Sequence, residues 1–188
     1  MKAVMISIQP KWCELIAVGR KTLELRKSVP KIPVPFKCYI YQTKKNWLYK
    51  VLKKWSSFNW AQCIMNGQTK VIGEFTCDYI LRFCHMANAD LAERPSCVRR
   101  EEIFEYSCGK EVFGWHISDL KIYDKPKKLS EFFYQCPKTK YPYCFDCEHG
   151  LQADEERPLD GMRHYDVPCG NWVKRPPQSW CYVEEMKE

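Results

Sequence analysis

The feature that most limits what this chain can fold into is a short helical pattern that runs, without a linker, into an alternating strand. In Pro10–Gly19, Pro10 takes a first-turn position where its missing N–H costs nothing. Trp12, Leu15 and Ile16 form an apolar stripe, and Gly19 is placed to end the helix. Lys21–Lys27 then alternates, with Leu23 and Leu25 pointing one way and Thr22, Glu24 and Arg26 the other. That is the pattern of a half-buried strand, with Lys21 at the mouth of its polar row. Residues i, i+2 and i+4 of a strand share one face, so a hydroxyl, a carboxylate and a guanidinium line up. Such a row is either a solvated salt-bridge ladder of small energetic value or a polar pocket that reads a ligand or moves a proton.

The same reading extends along the chain. Lys2–Ile8 predicts a first strand, Ser28–Pro35 with three prolines a loop, and Phe36–Thr43 a second alternating stretch. Asn46–Trp55 has the spacing of a helix, with Trp47, Leu48, Val51, Leu52 and Trp55 on one face. Lys70–Phe83 reads as the longest β stretch, and Ser96 as the cap of a helix through Arg99–Tyr106 that stops near Gly109. Val112–Tyr123 and Ser179–Val183 are strand-like. Many short strands broken by two or three helices predict an α+β, mainly β domain, a small mixed barrel rather than a βαβ sheet. The barrel is expected over 1–134 plus 178–188, with the weakly periodic, cysteine-rich 135–177 as an inserted module.

A chain of 188 residues can bury about 70% of its unfolded surface in one core. Hydrophobic residues at 45% and charged residues at 28% are ordinary for a globular protein. No apolar run reaches membrane-spanning length, and Ala3–Ile8 is too short for a signal peptide, so a cytoplasmic protein without membrane contact is expected. The twelve cysteines are then expected to be reduced, and any clustered ones to be metal ligands sooner than disulfides. Cys13, Cys38 and Cys77 fall on predicted core elements and read as small buried hydrophobes.

Charge is unevenly distributed. Residues 1–70 carry fourteen Lys and Arg against Glu14 and Glu24, whereas the remainder is net acidic, although the whole chain is +7. This asymmetry points to a polyanionic partner, nucleic acid first, or to a solvated face that binds nothing. The stretch Lys44-Lys45-Asn46-Trp47-Leu48-Tyr49-Lys50-Val51-Leu52-Lys53-Lys54-Trp55 interleaves lysines with aromatics. Lys44, Lys45, Lys50, Lys53 and Lys54 can displace counterions from an RNA backbone, while Trp47 and Trp55 are core anchors or platforms for bases.

The stretch G-x-K-T-x-E-x-R at Gly19–Arg26, after a first strand and helix, resembles the ASCH domain of the PUA-like superfamily. Tyr39-Ile40-Tyr41, Val71-Ile72-Gly73-Glu74-Phe75, Gly114-Trp115-His116-Ile117 and Lys125-Pro126 support it. The resemblance runs from Lys2 through Pro126, ends at Glu184 and leaves out much of 135–177. It implies a β-barrel with flanking helices and a cleft near the motif that binds RNA or a nucleotide. Lys21, Glu24 and Arg26 would be ligand contacts there, with Tyr41 and Glu74 as further candidates. The superfamily also includes small bacterial N4-acetylcytidine amidohydrolases, which share G-x-K-T-x-x-x-R but place a threonine nucleophile where Glu24 stands here. An enzyme acting on a modified nucleobase would therefore use Lys21 as base, with Thr22, Glu24 or Glu74 assisting. A third possibility is a protein-interaction module that uses the insertion.

Within that insertion, Cys136-x7-Cys144-x2-Cys147-x21-Cys169 could bind one structural zinc. A C-x-x-C pair lets two thiolates reach one tetrahedral ion, and two distant cysteines complete four sulfurs at about 2.3 Å. His149 and His164 are substitute ligands. Free cysteines and redox chemistry are the alternatives.

Overall fold

The structure, a computed structural model, describes residues 1–44, 69–84, 89–134 and 172–186. Along these the chain forms β1 (Lys2–Ile8), α1 (Pro10–Ala17), β2 (Leu23–Arg26), β3 (Phe36–Gln42), β4 (Lys70–Cys77) and β5 (Ile80–Phe83). Helices α2 (Ala89–Ser96) and α3 (Arg100–Ser107) follow, then β6 (Val112–His116), β7 (Ser118–Lys127), a 3-10 turn at Leu129–Glu131 and β8 (Trp180–Glu184). The fold is α+β with mostly strands. None of the described helices is long and apolar enough to cross a membrane.

The strands form a five-stranded sheet, β7-β4-β3-β1-β8, and a three-stranded sheet, β2-β6-β5. Among the described residues neither sheet closes on itself, so the closed barrel implied by the family resemblance is corrected to two sheets. β1 pairs in parallel with β3, with α1 in the crossover, while β8, β4 and β7 add antiparallel. Two stretches that read as single strands are in fact split where the chain changes sheets. Lys70–Phe83 breaks at Asp78 and Tyr79, and Val112–Tyr123 breaks at Ile117. Backbone bonds tie these corners: His116 N donates to Tyr79 O at 3.1 Å, and Ile117 N to Thr22 O at 2.9 Å. Strand-like residues continue through both corners, Tyr79 and Ile80 after the first and Leu120 and Ile122 after the second, so the pattern of residue types does not show the change of partner.

One core lies between the sheets, built from Val4, Ile6, Ile8, Cys38, Ile40, Ile72 and Phe75 around Trp115. A second covers the other face of the five-stranded sheet, where Ala3, Met5, Tyr39, Tyr41 and Val71 meet Phe132 and Val173. Burial on both faces explains why Ala3–Ile6 is a continuous apolar run. Val173 N donates to Phe132 O at 2.8 Å, so the chain has returned to the main fold by Trp172 and Val173, inside the stretch expected to be a separate module. As expected, Cys13, Cys38 and Cys77 are buried among apolar neighbours.

A third, smaller core places Leu23 and Leu25 of β2 against Phe83, Ala92, Ile103 and Val112. Helix α2 is too short and polar to announce itself, and Pro95 in its last turn reads as a breaker. Ser96 therefore ends α2 instead of capping α3. Its hydroxyl accepts from Val98 N at 3.2 Å, while Arg99 is the N-cap of α3. That helix ends, as expected, beside Gly109, with Cys108 and Gly109 both in the left-handed region.

Candidate functional site: a cleft over a buried ion network

Strand β2 is short because its two ends are held by other elements. Gly19, at φ +70°, ends α1 and turns the chain, and Thr22 N then donates to Pro95 O at 2.8 Å. The strand that alternation predicted to be half-buried is buried on both faces. Its leucines enter the α2/α3 core, and its polar residues enter a cleft that α1 and β1 help to form. The cleft has a volume of about 460 Å³ and is lined by Lys21, Glu24 and Arg26 together with Ser7, Trp12, Thr43, Tyr106, Gln178 and Ser179.

Lys21 does not stand at an open mouth. It is 2% exposed, and Nζ donates to Leu23 O at 2.9 Å and to Ser96 O at 2.7 Å. Glu24 is as deeply set, and its two oxygens face different cations: Oε2 lies 3.3 Å from Lys21 Nζ, and Oε1 2.7 Å from Arg26 Nη1. Arg26 is anchored further by Nη1 donating to Leu25 O at 3.1 Å and Nη2 to Ser7 O at 2.7 Å. The row is thus a dry network, not a solvated ladder. Two of its buried atoms, Glu24 Oε2 and Arg26 Nε, have no hydrogen-bond partner among the described residues. The 3.3 Å Lys21 contact with Oε2 is an ion pair without hydrogen-bond geometry.

Aromatic rings rim this floor. Lys21 Nζ lies 5.1 Å and Lys11 Nζ 4.1 Å from the Trp12 ring centre, and Lys27 Nζ lies 4.8 Å from that of Tyr106. The buried face of α1 is Pro10, Cys13 and Ile16; Trp12, predicted as part of an apolar stripe, packs half-buried against the core between the sheets and also lines the cleft. Below it, burial pushes the Cys13 thiol well up, and the charges of Glu24 and Glu14 push it further. Exposed Lys44 follows Thr43, so the basic stretch starts at the edge of the cleft.

The other candidates fall elsewhere. Thr22 is absent from the cleft lining, and its carbonyl accepts from Ile117 N. Tyr41 lies in the core on the far face of the five-stranded sheet, where burial raises its phenol. Glu74 sits opposite Tyr39 on that same face, 3.4 Å from Lys37 Nζ, and accepts from the Tyr123 hydroxyl. The structure therefore joins Lys21, Glu24 and Arg26, and separates Tyr41 and Glu74 from them. Lys45, Lys50, Lys53 and Lys54, as well as Cys136, Cys144, Cys147 and Cys169, lie outside the described residues. Sequence reasoning missed Ser7, Tyr106, Gln178 and Ser179, which come from distant strands, a helix end and the approach to β8. Only Tyr106, an aromatic next to the polar end of a helix, left any trace.

No family model and no curated protein sequence matches the chain. Solved structures do. The ASCH protein from Zymomonas mobilis superposes with a TM-score of 0.56 over 97% of this chain and 88% of that one, at 15% identity. A tyrosine-to-phenylalanine variant of it gives a TM-score of 0.55 at 14% identity, covering 98% of this chain and 92% of that one. A serine-to-alanine variant gives 0.56 at 15%, covering 97% and 89%. At such identity the backbone carries the likeness, and what it shows is that the chain has the ASCH fold.

Proposed function

We propose that the cleft binds RNA or a nucleotide, with Lys21, Glu24 and Arg26 as its floor. The observation that carries this reading is the burial of two cations and a carboxylate beside an open cleft. Removing three charges from water costs several kcal/mol per ion, and apolar residues of equal volume would hold the fold as well. Charges kept at such a cost beside a cavity are better explained by what they recognise. Trp12 and Tyr106 offer π faces for a base, each with a lysine nearby to meet phosphate. Lys44, at the cleft edge, leads into Lys45, Lys50, Lys53 and Lys54, which extend the reading to a longer RNA strand.

Recognition fits better than attack. Every atom contacting Lys21 Nζ is an acceptor, the surroundings of a donating ammonium, not of a base. At position 24 a carboxylate would attack poorly and repel a developing oxyanion.

The test is equilibrium binding of a labelled single-stranded RNA at increasing salt. Binding should weaken with salt, and reversing the charge of Lys50, Lys53 and Lys54 should flatten the slope by about one unit per lost phosphate contact. Absence of binding at low salt would overturn the RNA reading. Hydrolysis of N4-acetylcytidine by the native protein, abolished in Glu24→Gln, would turn the cleft into an active site.

A further inference from the structure

We propose that Glu102 reads the ribose 2′-hydroxyl, so that the cleft takes RNA in preference to DNA. This inference rests on the nucleic-acid reading above and names the sugar. Among the described residues that line the cleft two are acidic, Glu24 and Glu102. Glu24 is committed to Lys21 and Arg26 and buried with them, so it has nothing to offer a ligand. Glu102 differs. Its side chain is 39% exposed and its contacts are loose: Oε2 accepts from Arg99 N at 3.3 Å, and Oε1 lies 3.7 Å from Arg99 Nη2, beyond hydrogen-bond range. A carboxylate has about four lone-pair positions, so these contacts leave most of its accepting capacity unused. The bond to Arg99 N is half of a capping box at the start of α3, and a glutamine would serve that box without a charge. The helix dipole favours an acid there, but Glu101 already supplies one in the same turn.

What that charge does follows from its neighbours. A carboxylate in a cleft for a polyanion repels the phosphates unless the ligand gives it a proton to accept. Nucleic acid offers two kinds of donor: base N–H groups, which change from base to base, and ribose hydroxyls, present on every RNA residue. Glu102 and Tyr106 are four apart on α3 and both line the cleft, so they share a face with their β carbons about 5–6 Å apart. A base laid on the Tyr106 ring has its own sugar within that reach. Lys27, whose Nζ lies 4.8 Å from the centre of that ring, draws the backbone to the α3 side of the cleft. It brings the sugar there, and leaves the pairing edge of the base turned away. An acidic side chain accepting from a ribose hydroxyl is the pairing that dinucleotide-binding folds use, and the 2′-hydroxyl is what separates RNA from DNA at a single site. In DNA the carboxylate faces the backbone with no donor to accept, and the loss is that of an unmatched charged group.

The experiment is equilibrium binding of the intact protein, at one low salt concentration, to labelled single strands of equal length. Oligoadenylate is offered as RNA, as DNA, and as RNA methylated at every 2′-oxygen. The RNA is expected to bind about tenfold or more tightly than either of the others, the size of one charge-assisted hydrogen bond. Methylation keeps the ribose oxygen and removes its proton, so it separates the donor from the shape of the strand. The same order is expected for oligouridylate, because the hydroxyl does not depend on the base. Glu102→Gln keeps the capping box and removes the charge. It should narrow the gap between RNA and DNA to about threefold, chiefly by letting DNA bind more tightly. Native protein alone decides whether the hydroxyl is read, and a thermal transition of the variant checks that it folds. If RNA and DNA bind alike, or methylated and plain RNA do, the sugar is not read and the cleft remains a nucleic-acid site. If Glu102→Gln keeps the full preference, another group reads the hydroxyl and the assignment is wrong. If no strand binds at low salt, the RNA reading fails, and this inference with it.

Discussion

Replacing Lys21 with methionine removes a charge from the driest part of the cleft floor while keeping side-chain volume. The ammonium donates to Leu23 O and Ser96 O and lies 3.3 Å from Glu24 Oε2. Each lost charge-assisted bond is worth about 1.5–3 kcal/mol, and breaking a buried ion pair from one side costs about 3–5 kcal/mol. These contributions share partners and do not add, so the expected total is about 3–5 kcal/mol. No discount for solvent applies, because the side chains of Lys21 and Glu24 are 2% and 5% exposed. Against a typical stability of about 5–15 kcal/mol, the variant folds but melts roughly 6–20 °C lower. Urea unfolding at unchanged m-value measures the loss. Exposed Lys110→Met is the control and should leave the midpoint where it is. Adding Glu24→Gln to Lys21→Met removes the carboxylate that still pairs with Arg26 and should deepen the loss. A loss below about 1 kcal/mol for Lys21→Met would show that water reaches the network and that the row is a surface ladder after all.

Other perturbations test other parts of the molecule. A Cβ at Gly73 would lie 2.5 Å from Lys121 O, a backbone atom of β7, whereas one at Gly114 would meet the side chains of Leu23 and Phe83. Gly73→Ala should therefore destabilise by about 1–3 kcal/mol, and by more than Gly114→Ala, in the same urea assay. Burial, then the charge of Asp78, pushes the Cys77 thiol up to about 12, and burial pushes Cys181 up to about 11. Unfolded thiols ionise near pH 8.5, so above that pH the folded chain holds protons the unfolded chain has lost. Stability present at neutral pH should fall as pH rises toward 11 and 12, and a Cys77→Ala variant should show a shallower alkaline decline. In the insertion, the spacing of Cys136, Cys144, Cys147 and Cys169 predicts about one zinc per chain by metal analysis of protein purified without chelator. Absence of metal with all four thiols freely reactive would refute it.

What the sequence makes legible is local. β1 and β3 carry apolar runs bounded by turn residues, and α1 stops where Gly19 supplies a left-handed turn. All three lie within a residue or two of where pattern puts them. The motif residues Lys21, Glu24 and Arg26 do converge, because a strand fixes which of its side chains share a face. What escaped depends on partners. Alternation over Lys21–Lys27 distinguishes two faces but not whether a helix pair covers one and a cleft the other. The corners at Asp78 and Ile117 are changes of neighbour within stretches whose residue types continue to read as strand. Helix α2 is held by tertiary contacts through Ala92, against a sequence that ends in Arg94-Pro95-Ser96. Tyr41 and Glu74 alternate in the right residue types, yet the register of β3 and β4 turns them to the face away from the cleft.

The pairing of β8 with β1 has a consequence for how the molecule is made. Ser7 N donates to Ser179 O at 2.9 Å, and its hydroxyl to Pro177 O at 2.6 Å, across 170 residues of chain. A ribosome adding about 5–20 residues per second needs roughly 10–35 s to cover that distance. Throughout that interval β1, among the most apolar segments of the chain, has one bare edge able to pair with a neighbouring nascent chain. The cleft wall formed by Gln178 and Ser179 is missing for the same interval. Protection of that edge and closure of the cleft wall therefore arrive together, once Pro177–Glu184 has been made, and a chain stalled before Pro177 has neither.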